Sequence, residues 1–311
     1  MTDLIKAENL TRYYDQHCAV NDVSFTLSKG EVLGFLGPNG AGKTTTMQLL
    51  CGNLAPNAGS IHINGIDLLK NPNAAKVNLG YLPDTPPLYK DLTVNEFLTY
   101  CGQLHRVPKA QIAKALEVAK ERCALSDVAD RLIGNLSKGY QQRVGIAQAI
   151  LHNPAVIILD EPTVGLDPLQ IREIRLLIRE LGQDHGIILS THILSEVQES
   201  CTHVQIIQAG RLILKTSIND LNKQLQATGL NIVTRSPMDV DKLSLIDGVT
   251  AIEVLSPCHV RVQHAEIGRA NPPEAIAAMI VSCGWGLQEI TPIQNSLEDE
   301  YIRLTQSQTP L

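Results

Sequence analysis

The feature that most constrains this sequence is a glycine-rich loop between a short apolar segment, Val32–Leu36, and a predicted helix. The loop matches the pattern G-x-x-x-x-G-K-[S/T]. In such loops glycines let backbone N–H groups turn inward around phosphate oxygens, and the following helix N-terminus adds partial positive charge. The lysine reaches the β- and γ-phosphates, and the next hydroxyl binds Mg²⁺. A glycine-rich turn without a ligand is the alternative, and the strand–loop–helix context disfavours it. The residues concerned are Gly37, Pro38, Asn39, Gly40, Ala41, Gly42, Lys43 and Thr44, with Thr45 next in the helix.

A second chemical signal is the apolar segment 156–159, which ends in two acids, Asp160 and Glu161. Enzymes with such a phosphate-binding loop hold Mg²⁺ with an aspartate at the end of a buried strand. Asp160 fits that role. Glu161 faces the other way off the strand, where it could polarise an attacking water. For either acid alone, an exposed cap on the strand is a reasonable alternative, but Lys43 and Thr44 favour the catalytic interpretation.

Composition excludes several classes of protein. The 311 residues carry 26 Lys and Arg against 32 Asp and Glu, and residues 217–311 hold six of the former and eleven of the latter. Without a basic tail or patch, general binding to nucleic acid is disfavoured. The hydrophobic content of 44% is ordinary for a globular protein. One of the longest apolar runs, 275–281, has seven residues, far short of the ~20 that a membrane-spanning helix needs.

Two further features indicate a cytoplasmic protein. The N-terminus does not combine a charged segment with an apolar one, so we do not expect a secretory signal. The seven cysteines are scattered and contain no C-x-x-C pair. That arrangement is typical of reduced cysteines rather than of a disulfide framework or a zinc site.

The order of apolar segments predicts an α/β domain over residues 1–216 with a helical subdomain inserted at about 93–153. Thr93 and Glu96 have the spacing of a capping box, which predicts a helix to about residue 104. Further helices are expected over 109–124 and 137–152, and Ala209-Gly210 is expected to turn a hairpin. The predicted strands are 4–10, 23–27, 32–36, 61–63, 78–82, 156–160, 187–189 and 204–208.

Residues 217–311 are expected to form a separate small α+β domain. Its predicted order is strand 231–235, helix 239–245, strands 249–255 and 259–262, helix 273–283, strand 287–293 and helix 296–304. This succession suits a split βαβ arrangement.

Three more motifs, taken together with the glycine-rich loop and Asp160-Glu161, make the pattern typical of one protein family. The first motif lies between the glycine-rich loop and Asp160-Glu161 and begins a helix; it is Leu136-Ser-Lys-Gly-Tyr-Gln-Gln-Arg143. The other two follow Glu161 in the chain; they are Gly165-Leu-Asp-Pro168 and Ser190-Thr-His192. In this order and spacing, the set resembles the ATP-binding subunit of ATP-binding cassette (ABC) transporters over residues 2–216. The resemblance implies an ATP-binding α/β core, a helical subdomain, and the cofactors ATP and Mg²⁺.

The resemblance also implies individual roles. Tyr14 would stack on adenine, although a structural tyrosine at a strand end is an equally good interpretation from sequence alone. Ser137 and Gly139 would bind the γ-phosphate held by the opposite subunit. Asp167 would lie in the loop that couples the two sites, and His192 would contact the γ-phosphate.

Three positions in two motifs depart from the family's commonest pattern. The usual Leu-Ser-Gly-Gly-Gln is altered by Lys138 and Tyr140, a spelling that resembles exporter-type ATPases of the gliding-motility and multidrug kind. Position 84 is usually Gln, often Glu in this subgroup, and here is Asp84. It is a candidate ligand for Mg²⁺ beside Thr44 and Asp160, and its alternative role is a solvated loop acid where the membrane subunit binds.

The sequence therefore favours an ATPase that powers an export-type transporter by ATP-driven, head-to-tail dimerisation, with Glu161, His192 and Lys43 as catalytic residues. Its expected partners are a separate integral membrane permease and a second cassette, at the inner face of the cell membrane, and no nucleic acid. The alternative is a soluble ABC ATPase acting in translation or DNA maintenance. Such relatives usually have two cassettes or a long coiled coil, whereas 94 positions separate Lys43 from Ser137 here. A regulatory cassette without hydrolysis ranks last because Glu161 and His192 are both present.

Overall fold

The computed structural model describes residues 3–224, 229–264 and 271–293. The chain divides into two compact units, Met1–Ile218 and Asn219–Leu311. The division lies two residues beyond the boundary expected from sequence, because the last strand of the first unit continues to Ser217.

The first unit is built from two sheets and a set of helices. Its strands are β1 Asp3–Tyr14, β2 His17–Ser28, β3 Val32–Leu36, β4 Ala58–Ile63, β5 Ile66–Asp67, β6 Leu79–Leu82, β7 Val156–Asp160, β8 Gly186–Thr191, β9 His203–Gln208 and β10 Arg211–Ser217. Its helices are α1 Lys43–Leu50, α2 Pro72–Lys76, α3 Val94–Leu104, α4 Lys109–Arg122, α5 Lys138–Ile150, α6 Pro168–Asp184 and α7 Leu194–Ser200, and α8 Ile218–Gln224 follows at the junction.

The central sheet has the strand order β10-β9-β3-β8-β7-β6 and is parallel except for β10. Every residue of β3, β7 and β8 is buried, as expected of parallel strands that are covered on both faces. The loops after β3, β7 and β8 leave the sheet at the same edge, because those strands are parallel neighbours. Ligands of open α/β sheets bind at this carboxyl edge.

A second, antiparallel sheet of order β2-β1-β4-β5 covers one side of the first unit. Its apolar side chains join those of the central strands in one buried cluster, in which the rings of Phe25 and Phe35 lie 5.6 Å apart. The Ala209-Gly210 hairpin between β9 and β10 is confirmed.

The predicted helical insertion is present as α3, α4 and α5. The capping box is confirmed, because the Thr93 N–H donates to Glu96 at 2.8 Å and the Glu96 N–H donates to the Thr93 hydroxyl at 3.2 Å. Helices α4 and α5 end two residues before their predicted ends, at Arg122 and Ile150.

The second unit contains β11 Gly229–Thr234, α9 Val240–Ser244, β12 Val249–Ser256, β13 His259–His264, α10 Pro272–Ser282 and β14 Leu287–Ile293. Its antiparallel sheet has the order β12-β13-β11-β14. This is the strand order of the predicted split βαβ arrangement. A separate apolar cluster that includes Ile232, Val262 and Ile276 forms its core. The predicted helix 296–304 lies outside the described residues.

The sequence predicted that the chain has no membrane-spanning helix and that its cysteines are reduced. In the part of the chain that the structure describes, no helix is both long and apolar enough to cross a membrane. All seven cysteines are free thiols.

A stacked pair of histidines joins the helical insertion to the central sheet. The His105 and His152 rings lie 3.9 Å apart and nearly parallel, and His152 Nε2 donates to the Leu79 carbonyl at 3.0 Å. Burial, with a smaller effect from the neighbouring His105, lowers the pKa of His152 to about 4, although the hydrogen bond to the Leu79 carbonyl acts in the opposite direction. The folded chain therefore favours the neutral His152 ring.

We expect His152 to make folding stability fall as the pH decreases from about 6.5 to about 4, by up to roughly 3 kcal/mol. Over this range the unfolded histidine binds a proton that the folded one excludes, and above it the contribution is fully present. In His152→Gln, whose amide can still donate to the Leu79 carbonyl, the urea midpoint should change less between pH 7.5 and pH 5 than in the wild type. The exposed His17→Gln variant should behave like the wild type, and equal losses in all three proteins would contradict the prediction.

Candidate active site

A cavity of about 490 Å³ opens at the carboxyl edge of the central sheet. It brings together predicted residues from the loops after β3, β6, β7 and β8 and from the β1–β2 hairpin. The lining residues are Tyr14, His17, Ala19, Asn39, Gly40, Gly42, Lys43, Thr44, Thr45, Asp84, Glu161, Val164 and His192.

The glycine-rich loop needs glycine at two positions for different reasons. Gly42 has a φ of +106°, and a Cβ there would lie 2.4 Å from the Ala19 carbonyl oxygen. At Gly37 a Cβ would lie 2.4 Å from the Ile207 carbonyl oxygen. No side chain caps the N-terminus of α1, so its first N–H groups point toward the loop without a side-chain acceptor. This combination is a ready site for an anion. Gly37, Pro38 and Ala41 belong to the same loop but do not line the cavity.

Three predicted residues form one continuous polar chain. Lys43 Nζ donates to the Gly37 carbonyl at 2.8 Å and lies 3.4 Å from Glu161 Oε1. Glu161 Oε2 lies 2.9 Å from His192 Nδ1. Lys43 and Glu161 are largely buried, at 6% and 13% side-chain exposure, whereas His192 is 44% exposed. A cation, an acid and a histidine therefore meet in the lining of the cavity.

Glu161 also has an uncommon backbone conformation. Its φ is +48°, in the left-handed region that residues other than glycine rarely adopt, and its N–H donates to the Ser190 carbonyl at 2.9 Å. Such strained positions cluster at active sites, where the surrounding structure holds them in place.

Asp160 lies beneath this chain and is 1% exposed. The hydroxyls of Thr44 and Ser190 lie beside its carboxylate, but neither completes a hydrogen bond of ordinary geometry. Burial raises the pKa of Asp160, and the two hydroxyls and the Lys43 ammonium only partly oppose this effect. A buried carboxylate without a donor is costly. A cation held beside the carboxylate would remove that cost.

The donor set fits Mg²⁺ bound together with a nucleotide. Among the described residues there is no cluster of three or more His, Cys, Asp or Glu that could hold a metal by itself. Mg²⁺ is usually held by one or two carboxylates together with phosphate oxygens and waters. Asp160 and Thr44 supply such a partial set, and Asp84 is exposed at the same cavity.

The β1–β2 hairpin contributes aromatic side chains to the cavity lining. Tyr14 is 42% exposed, and the Arg12 guanidinium lies 5.2 Å from the centre of its ring. Arg12 is held by a hydrogen bond of 3.0 Å to the Ala55 carbonyl. His17 lies directly opposite Tyr14 across the β1–β2 hairpin and was missed by the sequence analysis. The spacing Tyr-x-x-His between two strands could have indicated that these two side chains meet.

Three further predicted site residues, at the starts of α5 and α6, also do not line the cavity. Ser137 and Asp167 are exposed N-cap residues of α5 and α6, where their side chains accept hydrogen bonds from the N–H groups of Tyr140 and Gln170. Gly139 packs so closely on Gln170 that a Cβ would lie 2.6 Å from the Gln170 side chain. The two helix starts therefore form one surface that is distinct from the cavity lining.

The loop between β3 and α1, with a buried aspartate at the end of β7, two strands away in the same parallel sheet, defines a P-loop nucleoside triphosphatase. The family model described as ABC transporter matches residues 20–164. The chain is 32% identical to the uncharacterized ABC transporter ATP-binding protein YxlF of Bacillus subtilis (strain 168), over 97% of this chain and 99% of that protein. It is 33% identical to the bacitracin transport ATP-binding protein BcrA of Bacillus licheniformis, over 98% of each chain. The chain belongs to the family of ABC transporter ATP-binding proteins.

Solved structures agree with this assignment. The structure of cbiO1 from Clostridium perfringens, part of the ABC transporter complex cbiONQ, has a TM-score of 0.66 and 29% identity, and covers 72% of this chain and 92% of that one. A structure titled as the ATP-binding subunit of an ABC transporter has a TM-score of 0.64 and 33% identity, over 71% and 92%. The protein is thus an ATP-binding and ATP-hydrolysing subunit that energises a transporter, and the alternative in translation or DNA maintenance is not favoured.

Proposed function

We propose that the cavity binds ATP with Mg²⁺ and that the predicted site residues have the following roles. The glycine-rich loop and Lys43 hold the phosphates, and Tyr14 stacks on the adenine. Thr44, Asp160 and Asp84 are the proposed Mg²⁺ ligands, and the bound ion would offset phosphate charge. The other proposed contacts to ATP come from Gly37, Pro38, Asn39, Gly40, Ala41, Gly42 and Thr45.

Glu161 is the proposed general base for the water that attacks the γ-phosphorus. Its carboxylate lies between a cation and a histidine, within 3.4 Å of Lys43 Nζ and 2.9 Å of His192 Nδ1. Lys43 offsets the negative charge of the phosphates, and His192 both holds Glu161 and contacts the γ-phosphate. Reactions of this type depend mainly on positioning and on electrostatic stabilisation.

One observation supports a site shared between two chains: Ser137 and Asp167 are exposed at helix starts and do not line the cavity of their own chain. A helix N-terminus with a hydroxyl cap is suited to bind phosphate. We therefore propose that ATP joins two cassettes head to tail. Ser137 and Gly139 of one chain would close on the γ-phosphate bound by Lys43 of the other, with Asp167 between the two sites.

The two units have separate apolar cores, and this supports separate functions for the two parts of the chain. We propose that residues 1–216, extended to the end of β10, form the ATPase domain, with the helical subdomain at about 93–153. Residues 217–311 form an accessory α+β domain. All of the proposed nucleotide ligands lie in the first of these.

The proposed partner is a separate integral membrane permease of an export-type transporter, which would place this chain at the cytoplasmic face of the membrane. The sequence from 136 to 143 supports the export assignment through its resemblance to that subgroup, and a bacitracin transport protein is similar over 98% of each chain.

Co-purification tests this partnership. The tagged chain, extracted in mild detergent from membranes of its own cell, should retain an integral membrane protein. Its ATP hydrolysis should rise when the pair is placed in lipid vesicles. A chain that fractionates without any membrane protein, and whose hydrolysis is unaffected by membranes, would contradict the proposal.

A further inference from the structure

A buried acid outside the cavity connects two of the loops that form it. Glu196 lies in α7 and is 1% exposed. One carboxyl oxygen accepts a short hydrogen bond from the Thr163 hydroxyl, and the other accepts one from the Thr191 hydroxyl at 2.6 Å. Both partners are neutral, so this carboxyl group is stabilised by two hydroxyl donors.

The two threonines lie beside the proposed reacting groups. Thr163 follows Glu161 by two residues, and Thr191 directly precedes His192. The Thr191 hydroxyl also accepts a hydrogen bond of 3.0 Å from the N–H of Ile193, so hydrogen bonds enclose the backbone on both sides of His192. The carboxyl group of Glu196 thus bridges the loop after β7 and the loop after β8.

Burying the Glu196 carboxyl group costs free energy, and its two hydrogen bonds hold two particular loops together. A buried carboxyl group must keep its donors, because each lost hydrogen bond leaves an unsatisfied group that costs about 1–3 kcal/mol. Moving either loop away from the other breaks one of these bonds. The strained backbone of Glu161, with its φ of +48°, lies two residues before Thr163, in the loop after β7 that this bridge holds.

We infer that Glu196 is a positioning residue that fixes Glu161 and His192 relative to each other. The inference rests on the roles proposed above for those two residues. Glu196 does not line the cavity and contacts neither Lys43 nor Thr44. It therefore affects the placement of the base and the histidine more than the binding of the phosphates.

The test is Glu196→Gln in the full chain, compared with Glu199→Gln in the same helix. A glutamine has one acceptor oxygen, so one threonine hydroxyl loses its acceptor. We expect kcat to fall by roughly 10–100-fold while KM for ATP changes by less than about twofold, because small misplacements of reacting groups are costly. Glu199 is 58% exposed and pairs with Arg175 at the surface, so its variant should keep the wild-type kcat.

Variants of Thr191 give a second, milder measurement. Thr191→Ser retains the hydroxyl and should retain kcat, whereas Thr191→Val should lower kcat at unchanged KM. In a His192→Ala background, Glu196→Gln should cost much less than it does alone, because one of the two groups that it holds relative to each other is already gone. A role in folding alone would lower stability and ATP affinity together, without this split and without this coupling.

The outcomes separate the inference from the proposed function. If His192→Ala and Glu161→Gln lose turnover but Glu196→Gln and Thr191→Val do not, the positioning role is wrong and the proposed site is not. If His192→Ala and Glu161→Gln themselves hydrolyse ATP at the wild-type rate, the proposed function of this site fails.

Discussion

The Glu161→Gln variant is expected to bind ATP normally and to lose nearly all turnover. Glutamine has the shape of glutamate but cannot accept the water's proton, so general-base assistance of about 10²–10⁴-fold should disappear. The variant also removes a negative charge next to the γ-phosphate. Lys43 and Asp160 are unchanged, so the contacts proposed for the phosphates and for Mg²⁺ remain. Hydrolysis assays give the rate, and calorimetry gives the affinity.

Loss of hydrolysis in this variant should also stabilise a dimer. ATP would persist as a ligand that binds the assembled state, and mass action would then favour that state. Size-exclusion chromatography with light scattering, with and without MgATP, measures the change in mass directly. A wild-type rate of hydrolysis would show that Glu161 is not the base. A mutant that is inactive but monomeric with ATP bound would show that the two-chain site is wrong.

The Lys43→Ala variant is expected to lose both tight ATP binding and hydrolysis. Lys43 is the buried cation that donates to the glycine-rich loop at 2.8 Å, and no other lysine lines the cavity among the described residues. Loss of hydrogen bonds from a charged group, each worth about 1.5–3 kcal/mol, should weaken ATP by about 10²-fold or more. The exposed Lys29→Ala is the matched control and should bind like the wild type. Undiminished ATPase activity in Lys43→Ala would contradict the assignment.

The parts of the fold that were predicted well are those that a short stretch of sequence specifies by itself. Strands β3 and β7 are continuous apolar runs, and the Thr93–Glu96 capping box specifies where α3 begins. Strands β1 and β2 are longer than predicted, because their ends carry polar residues such as Arg12 and His17 whose pairing is set by the hairpin and not by burial. The five-residue helix α2 has too few residues to show a periodic pattern.

In the candidate site, too, local sequence motifs predict some residues, whereas other contacts depend on the fold. Sequence motifs predicted that Lys43, Glu161 and His192 belong to one site, and in the structure the Glu161 carboxylate lies 3.4 Å from Lys43 Nζ and 2.9 Å from His192 Nδ1. The bridge made by Glu196 could not be predicted, because its contact with Thr163 spans 33 positions and follows no motif. A buried acid of this kind becomes visible only when its two hydroxyl donors are seen together.

Mixing two inactive variants tests whether each nucleotide site is built from two chains. Lys43→Ala has a defective cavity but an intact Ser137 surface, and Ser137→Arg has the reverse. Each variant alone should be inactive, because every site in its dimer contains a defective half. A 1:1 mixture should regain about a quarter of the wild-type ATPase rate, since half of the dimers would be mixed and one of their two sites would be intact. A mixture that stays inactive, or a Ser137→Arg chain that hydrolyses ATP normally by itself, would contradict a shared site.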